Sequence, residues 1–220
     1  MAPGLDGTSI SDTSETEESD EMSDETGESS AAEGGDALHG AEDPAEFRRN
    51  YEDEYSEPTS EARSVEPFQD PQENVDRINP KYNPEGSNEY NTNCADCARC
   101  YEATWRGQEQ EAAGIRNCEG ESPERMEQWA NEEWSDTDPS QLKAALEKGG
   151  PGSSAVIGSH WQDGGHAYNV VNHEGTIETV DSQSHEVLDY SDQSIHPELE
   201  GAEDLEHQAM VWDADGRRIL

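Results

Sequence analysis

Apolar residues are nearly absent from the first 46 positions, and further along they return in two different periods. Residues 1–46 run through Ser, Thr, Glu, Asp and Gly with no spaced apolar set, so burial cannot offset the entropy of ordering them. Residues 47–78 scatter Phe47, Tyr51, Tyr55 and Phe68 among Pro58, Pro67 and Pro71, and read as a linker. The stretch Asn79-Pro80-Lys81-Tyr82-Asn83-Pro84-Glu85-Gly86 is turn-forming throughout. Three helices are predicted next. The first runs from Cys94 to about Arg106, capped by Asn93 and stopped by Gly107. The second starts at Ser122-Pro123 and runs to about Trp134. The third starts at Asp138-Pro139 and ends at Gly149-Gly150. After Gly152 the period changes to two. Strands are predicted over 154–161, 167–172 and 176–181, with a turn at 173–175 and a closing hairpin of 209–212 with 217–220. Helices first and an antiparallel sheet second is an α+β order. We divide the chain into an acidic, disordered tail and linker over 1–70 and a folded domain over 71–220.

Charge changes this picture in one respect. The chain has 53 acidic against 13 basic side chains, a formal net of −40. The tail does not explain all of it, because residues 61–220 still hold 34 acidic and 11 basic side chains. Such a surface repels itself in dilute buffer, and molar salt shortens the repulsion to a few ångströms. The composition resembles that of haloarchaeal proteins, so a salt-loving character is expected. No basic stripe is present to neutralise phosphates, which excludes nucleic-acid binding. The N-terminus lacks a basic region and an apolar stretch, so no signal peptide and no membrane span are expected, and the expected location is cytoplasmic.

The candidate chemistry lies between the first helix and the sheet. Cys94 starts a helix, where unpaired N–H groups and partial positive charge favour a thiolate and can form an oxyanion hole. His166 follows Gly164-Gly165 at the start of a strand, where an imidazole can deprotonate a thiol across a cleft. Asp181 ends the next strand. If the two strands pair through the 173–175 turn, paired residue numbers sum to about 348, which puts Asp181 beside His166 within a residue or two. A carboxylate there can orient the imidazole. Cysteines at 94, 97, 100 and 118 also admit a metal-site reading, although the last is remote and not followed by proline. Cys97 and Cys100 read more simply as helix packing. Trp161 is a candidate cleft residue. His160, His173, His185, His196 and His207 read as surface residues.

Several of these blocks resemble a known family. Asn93-Cys94-Ala95-Asp96-Cys97, Tyr101-Glu102 and Arg106-Gly107 are similar to the nucleophile helix of the papain-fold toxins called Tox-PL, the glutamine deamidase toxins. Gly150-Pro151-Gly152, Gly165-His166-Ala167-Tyr168-Asn169-Val170-Val171-Asn172 and Asp181-Ser182-Gln183 resemble its later blocks, in order. The resemblance implies a papain-like α+β hydrolase in which Cys94 is the nucleophile, His166 the base and Asp181 the orienting acid, with Asn93 and Gln183 in support. It implies no cofactor and no metal. The implied partners are a target protein presenting a glutamine and, for a toxin, an immunity protein. Delivery to another cell would follow a route the motifs do not show. The rival readings are a papain-like cysteine protease and a non-enzymatic acidic module with a Cys-bound metal. One expectation rests on charge alone: melting temperature should climb steeply from dilute buffer to molar KCl, and a flat response in a thermal-shift series would remove the halophilic reading.

Overall fold

The structure, a computed structural model, describes residues 40–117 and 119–220. The acidic stretch over 1–39 and Cys118 therefore lie outside the described residues. The helices are α1 Pro44–Arg49, α2 Pro71–Ile78, α3 Cys94–Trp105, α4 Pro123–Ala130 and α5 Pro139–Gly149. The strands are β1 Arg63–Ser64, β2 Gln108–Glu109, β3 Ser135–Thr137, β4 Ser154–Trp161, β5 Gly164–His173, β6 Thr176–Asp181, β7 Glu186–Asp189 and β8 Glu206–Trp212. None of the described helices is long and apolar enough to cross a membrane.

Local chemistry explains most helix boundaries. α1, α2 and α5 each begin Asp-Pro. The carboxylates of Asp43, Asp70 and Asp138 accept the orphan first-turn N–H groups, and proline brings none of its own. α4 ends at Asn131, whose φ of 52° breaks the helical path. Asparagine tolerates that left-handed conformation. The helix therefore stops four residues before the expected Trp134, and Trp134 turns back over Gly158, where an added Cβ would meet it at 3.4 Å.

β3, β8, β4, β5, β6 and β7 form one antiparallel sheet, in that order. β4 sits inside the sheet and alternates as a two-faced strand should. Val156 packs with Phe47, Ala98, Trp129 and Trp212, beneath α1, α3 and α4. Ala155 and Ile157 pack with Leu142, Leu146 and Ile195 beneath α5. The expected C-terminal hairpin forms over the end of β8: Trp212 bridges Arg218, the Ile219 N–H donates to Val211 O at 2.8 Å, and the Asp213 N–H donates to Arg217 O at 2.9 Å. β3 already pairs β8 through Ala209, so only the end of β8 is left for the returning chain.

The folded unit also starts earlier than residue 71. Phe47 is 2% exposed, Arg48 reaches Asp96 at 2.8 Å, and Tyr55 bridges to Ile115. The acidic neighbours of this segment hid the four-residue spacing of Phe47 and Tyr51, which pack on the same cluster.

α3 is buried on nearly every side, and with its C-cap Arg106 it carries four charged residues into the interior: Asp96, Arg99, Glu102 and Arg106. Each is partnered. Asp96 accepts from Arg48 at 2.8 Å, Arg99 at 3.0 Å and the Ala113 N–H at 2.7 Å. Arg99 also donates to Glu121 at 2.6 Å and to the Tyr55 hydroxyl at 3.1 Å. Glu102 accepts from Arg106 at 2.8 Å and from Ser154 at 2.6 Å. Burial opposes the charge on Asp96, but Arg48, Arg99 and the Ala113 N–H hold its carboxyl below the ordinary range. Removing one partner of such a group costs about 3–5 kcal/mol. A chain that begins at residue 71 loses Phe47, Arg48 and Tyr55 together. It should melt far below a chain that begins at residue 40 in the same buffer, and calorimetry of the two chains checks this.

Candidate active site

The N-terminus of α3 meets the open ends of β5 and β6. The β5–β6 ladder pairs Asn169 with Val180 and His173 with Thr176, a sum of 349, one more than the sequence suggested. Continued outward, this register sets Asp181 opposite Tyr168, and His166 lies two residues further along the same face. The two side chains meet diagonally, with His166 Nε2 2.6 Å from Asp181 Oδ2. α3 is tied to these strands from inside. The Asn169 amide donates to Ala98 O at 3.2 Å, and the Ser182 hydroxyl donates to Cys97 O at 3.3 Å. That anchoring sets the Cys94 thiol and the His166 ring in the wall of one cleft.

The electrostatics follow from this geometry. Burial works against a charged His166, but the Asp181 charge and hydrogen bond, with a further contribution from Cys94, raise its pKa well above the ordinary value. Burial likewise opposes the Asp181 charge, yet His166 and His196 hold that carboxyl well below the usual range. Asp181 Oδ1 accepts the backbone N–H groups of Gln183 at 3.0 Å and Ser184 at 3.4 Å. Cys94 is partly exposed, whereas Cys97 and Cys100 are buried. Burial pushes both inner thiols up, Cys100 to about 12, so they stay protonated and unreactive. They pack with Val75, Ile78, Tyr101 and Trp105.

Asn93 occupies the expected cap position of α3, but its side chain does not cap the helix. It is fully buried and donates instead to Ala113 O at 2.9 Å and Asn79 Oδ1 at 3.2 Å. Gln183 takes over the cap. With its amide oxygen turned toward the helix, it accepts the N–H of Asn93 at 3.1 Å and that of Cys94 at 2.9 Å. That orientation is assigned because both facing groups are donors. Gln183 thus stands against the nucleophile's own N–H, and two backbone N–H bonds at Asp181 fix the turn that carries it.

A cleft of 390 Å³ opens over Cys94 and His166, with Glu119, Met126, Trp134 and Gly165 in its walls. Trp161 is not among its lining residues. Its ring packs on Gly164 at the hairpin tip, within 3.0 Å of where a Cβ would stand. Trp134 takes the place expected of it, because α4 ends early at Asn131. The histidines read as surface residues differ among themselves. His160 lines the cleft, and His196 is 2% exposed beside Asp181. Nothing in the spacing of the sequence marks His196, since its burial depends on Ile195 being drawn into the core. Among the described residues, the metal-capable atoms that converge are those of His166, Asp181 and His196, and no described cysteine belongs to that group. Hydrogen bonds already account for the three.

Residues 92–186 match the family described as papain fold toxin 1, glutamine deamidase. Among solved structures, the chain is similar to the Salmonella effector SpvD, G161 variant, with 13% identity and a TM-score of 0.48, over 76% of this chain and 88% of that one. No curated protein matches the chain. The stretch that matches this family model, residues 92–186, contains Cys94, His166 and Asp181.

Proposed function

We propose that Cys94, His166 and Asp181 act as a Cys-His-Asp triad that deamidates glutamine side chains of a target protein. The observation that carries this reading is a single imidazole set between a partly exposed helix-N-terminal thiol and a buried carboxylate. The raised proton affinity of His166 suits a thiolate–imidazolium pair, the form that attacks a carbonyl. Cys94 Sγ adds to the carboxamide carbon. The oxyanion takes the Cys94 N–H, which Gln183 must yield. Turning the Gln183 amide about its last torsion releases that N–H and points an NH₂ donor at the same place. His166 then gives its proton to the departing nitrogen, and ammonia leaves. Water, deprotonated by His166, attacks the thioester and frees glutamate and the thiolate.

Cleft shape favours a side chain over a backbone amide. A site walled by Trp134 and Met126 admits a flexible carboxamide carried on two methylenes. A main-chain amide in a folded target would first need local unfolding. An immunity protein that plugs this cleft is the natural partner of a toxin domain of this kind.

Two expected outcomes test the proposal. Incubated with lysate proteins in molar KCl, the protein should release ammonia and convert Gln to Glu at a few sites, read by mass spectrometry. Cys94→Ala should lower the rate by at least about 10³-fold, while Cys97→Ala should retain activity. New chain ends without ammonia would mean a protease instead. The second outcome concerns pH. The raised pKa of His166 contributes stability that is complete below its unfolded value of about 6.5 and is lost as pH rises through the folded value. The lowered pKa of Asp181 contributes stability that is complete above about 4 and is lost as pH falls toward the folded value. The melting difference between wild type and Asp181→Asn should therefore be largest near pH 5–6 and shrink on both sides.

A further inference from the structure

His196 has no role in the reaction just described, yet it is built into the back of the site. Its ring stands 4.8 Å from that of Tyr168 and 5.8 Å from that of His166, edge-on to both. Its Nε2 lies 3.4 Å from Asp181 Oδ2, the same oxygen that faces His166. The segment that carries it is pinned on both sides. Ile195 is fully buried, and its carbonyl accepts from the Thr179 hydroxyl, two residues before Asp181 on β6. Ser191 and Ser194 exchange backbone hydrogen bonds at 3.3 Å just before it. A surface histidine swept inward by chance would not be held so firmly.

The ring's own hydrogen bonding fixes its tautomer. Nδ1 is buried and has no partner, while Nε2 faces a carboxylate. The proton of the neutral ring therefore sits on Nε2 and is donated to Asp181. Asp181 Oδ2 thus serves two imidazoles, one that exchanges a proton with Cys94 and one that does not.

We infer that His196 is a positioning residue of this site: by donating Nε2–H to Asp181 Oδ2 it limits the hold of that carboxylate on the His166 proton. The physical reason is that a donor to a carboxylate stabilises its charge and lowers its pull on a neighbouring cation. A general acid is most useful when its proton is neither too loose nor too tight. His166 paired with a buried carboxylate alone would err toward tight. The remaining groups that face this pair are few. Cys94 and Cys97 approach from α3, and Tyr82 senses the Asp181 charge from the loop after α2. His207 on β8 feels His196, and it is lowered by burial and by that neighbour. His207 is tied to Tyr168 through Ser159, at 2.8 Å and 2.9 Å.

This inference rests on the triad reading, so the test uses a readout that does not need deamidation. The rate at which iodoacetamide alkylates Cys94 is followed against pH, with Cys94→Ala as the blank. It is compared for wild type, His196→Phe, His196→Met and His196→Gln. The alkaline end of the plateau reports loss of the His166 proton. In His196→Phe that end should move upward by at least half a pH unit, about a threefold change in proton affinity. kcat should fall by up to about threefold with KM unchanged, because ammonia leaves from a more tightly held proton. His196→Gln keeps an N–H donor and should return both toward wild type. His196→Met stands in should the phenylalanine variant not fold. A plateau and kcat unmoved in the apolar variants overturns the inference, whatever their melting temperatures, and so does a glutamine variant that shifts as far as they do. If wild type releases no ammonia, the deamidase reading fails, while the alkylation limb still decides the role of His196.

Discussion

The fully buried carboxylate of Asp96 is the point on which this fold turns. A charge in that position is tolerable only if donors reach it from elsewhere in the chain. Arg48 comes from α1, Arg99 from one turn along α3, and the Ala113 N–H from the loop after β2. Arg99 in turn draws in Glu121 and Tyr55. A segment nearly fifty residues upstream and a loop twenty residues downstream are thereby fastened to the first two turns of one helix. An apolar residue at 96 would pack, but it would not demand those partners. The network specifies which segments surround α3 as much as it stabilises them.

That demand has a consequence for the chemistry. Cys94 stands two residues before Asp96, in the same first turn. Whatever fixes Asp96 also fixes the direction in which the N–H groups of that turn point. The sheet supplies the other half of the constraint, since Asn169 and Ser182 donate to carbonyls of α3 just inside its start. The helix is thus held from both faces at the end where the thiol sits. Gln183 and His166 then meet Cys94 from strands whose register is set by the short turn at Glu174-Gly175, with φ of 51° and 97°. One residue of slip there would reverse the face of Asp181 and separate it from His166.

The parts of this arrangement that were legible in the sequence are those with local signatures. Asp-Pro starts, the Gly107 stop and the change of period after Gly152 locate α3, α5 and β4 to β6 closely. The pairing of His166 with Asp181 followed from counting across a turn. What stayed hidden depends on distant partners. α1 was obscured because acidic composition outweighs a short apolar spacing. The side chain of Asn93 prefers Ala113 and Asn79 to its own helix, which no local cap rule foresees. Trp134 took the cleft place expected of Trp161 because one αL residue, Asn131, ended α4 early. His196 could not be distinguished from the four other solitary histidines until the chain around Ile195 was seen to enter the core.

The partition of charge joins these observations. Arginines are scarce in this chain, and Arg48, Arg99 and Arg106 are spent inside it, each at most 8% exposed. Others, such as Arg63 and Arg77, both serve Glu109. With 53 acidic side chains against 13 basic ones, most acids have no basic side chain to pair with. Salt therefore acts on the two populations differently. Surface repulsion relaxes as ions screen it, whereas pairs at 2.6–3.0 Å in a water-poor interior are screened far less. The Asp181–His166 contact, also largely shielded from solvent, belongs to the second population. An acidic shell of this kind can adjust the stability of the whole domain to its medium while leaving the electrostatics of the cleft nearly unchanged.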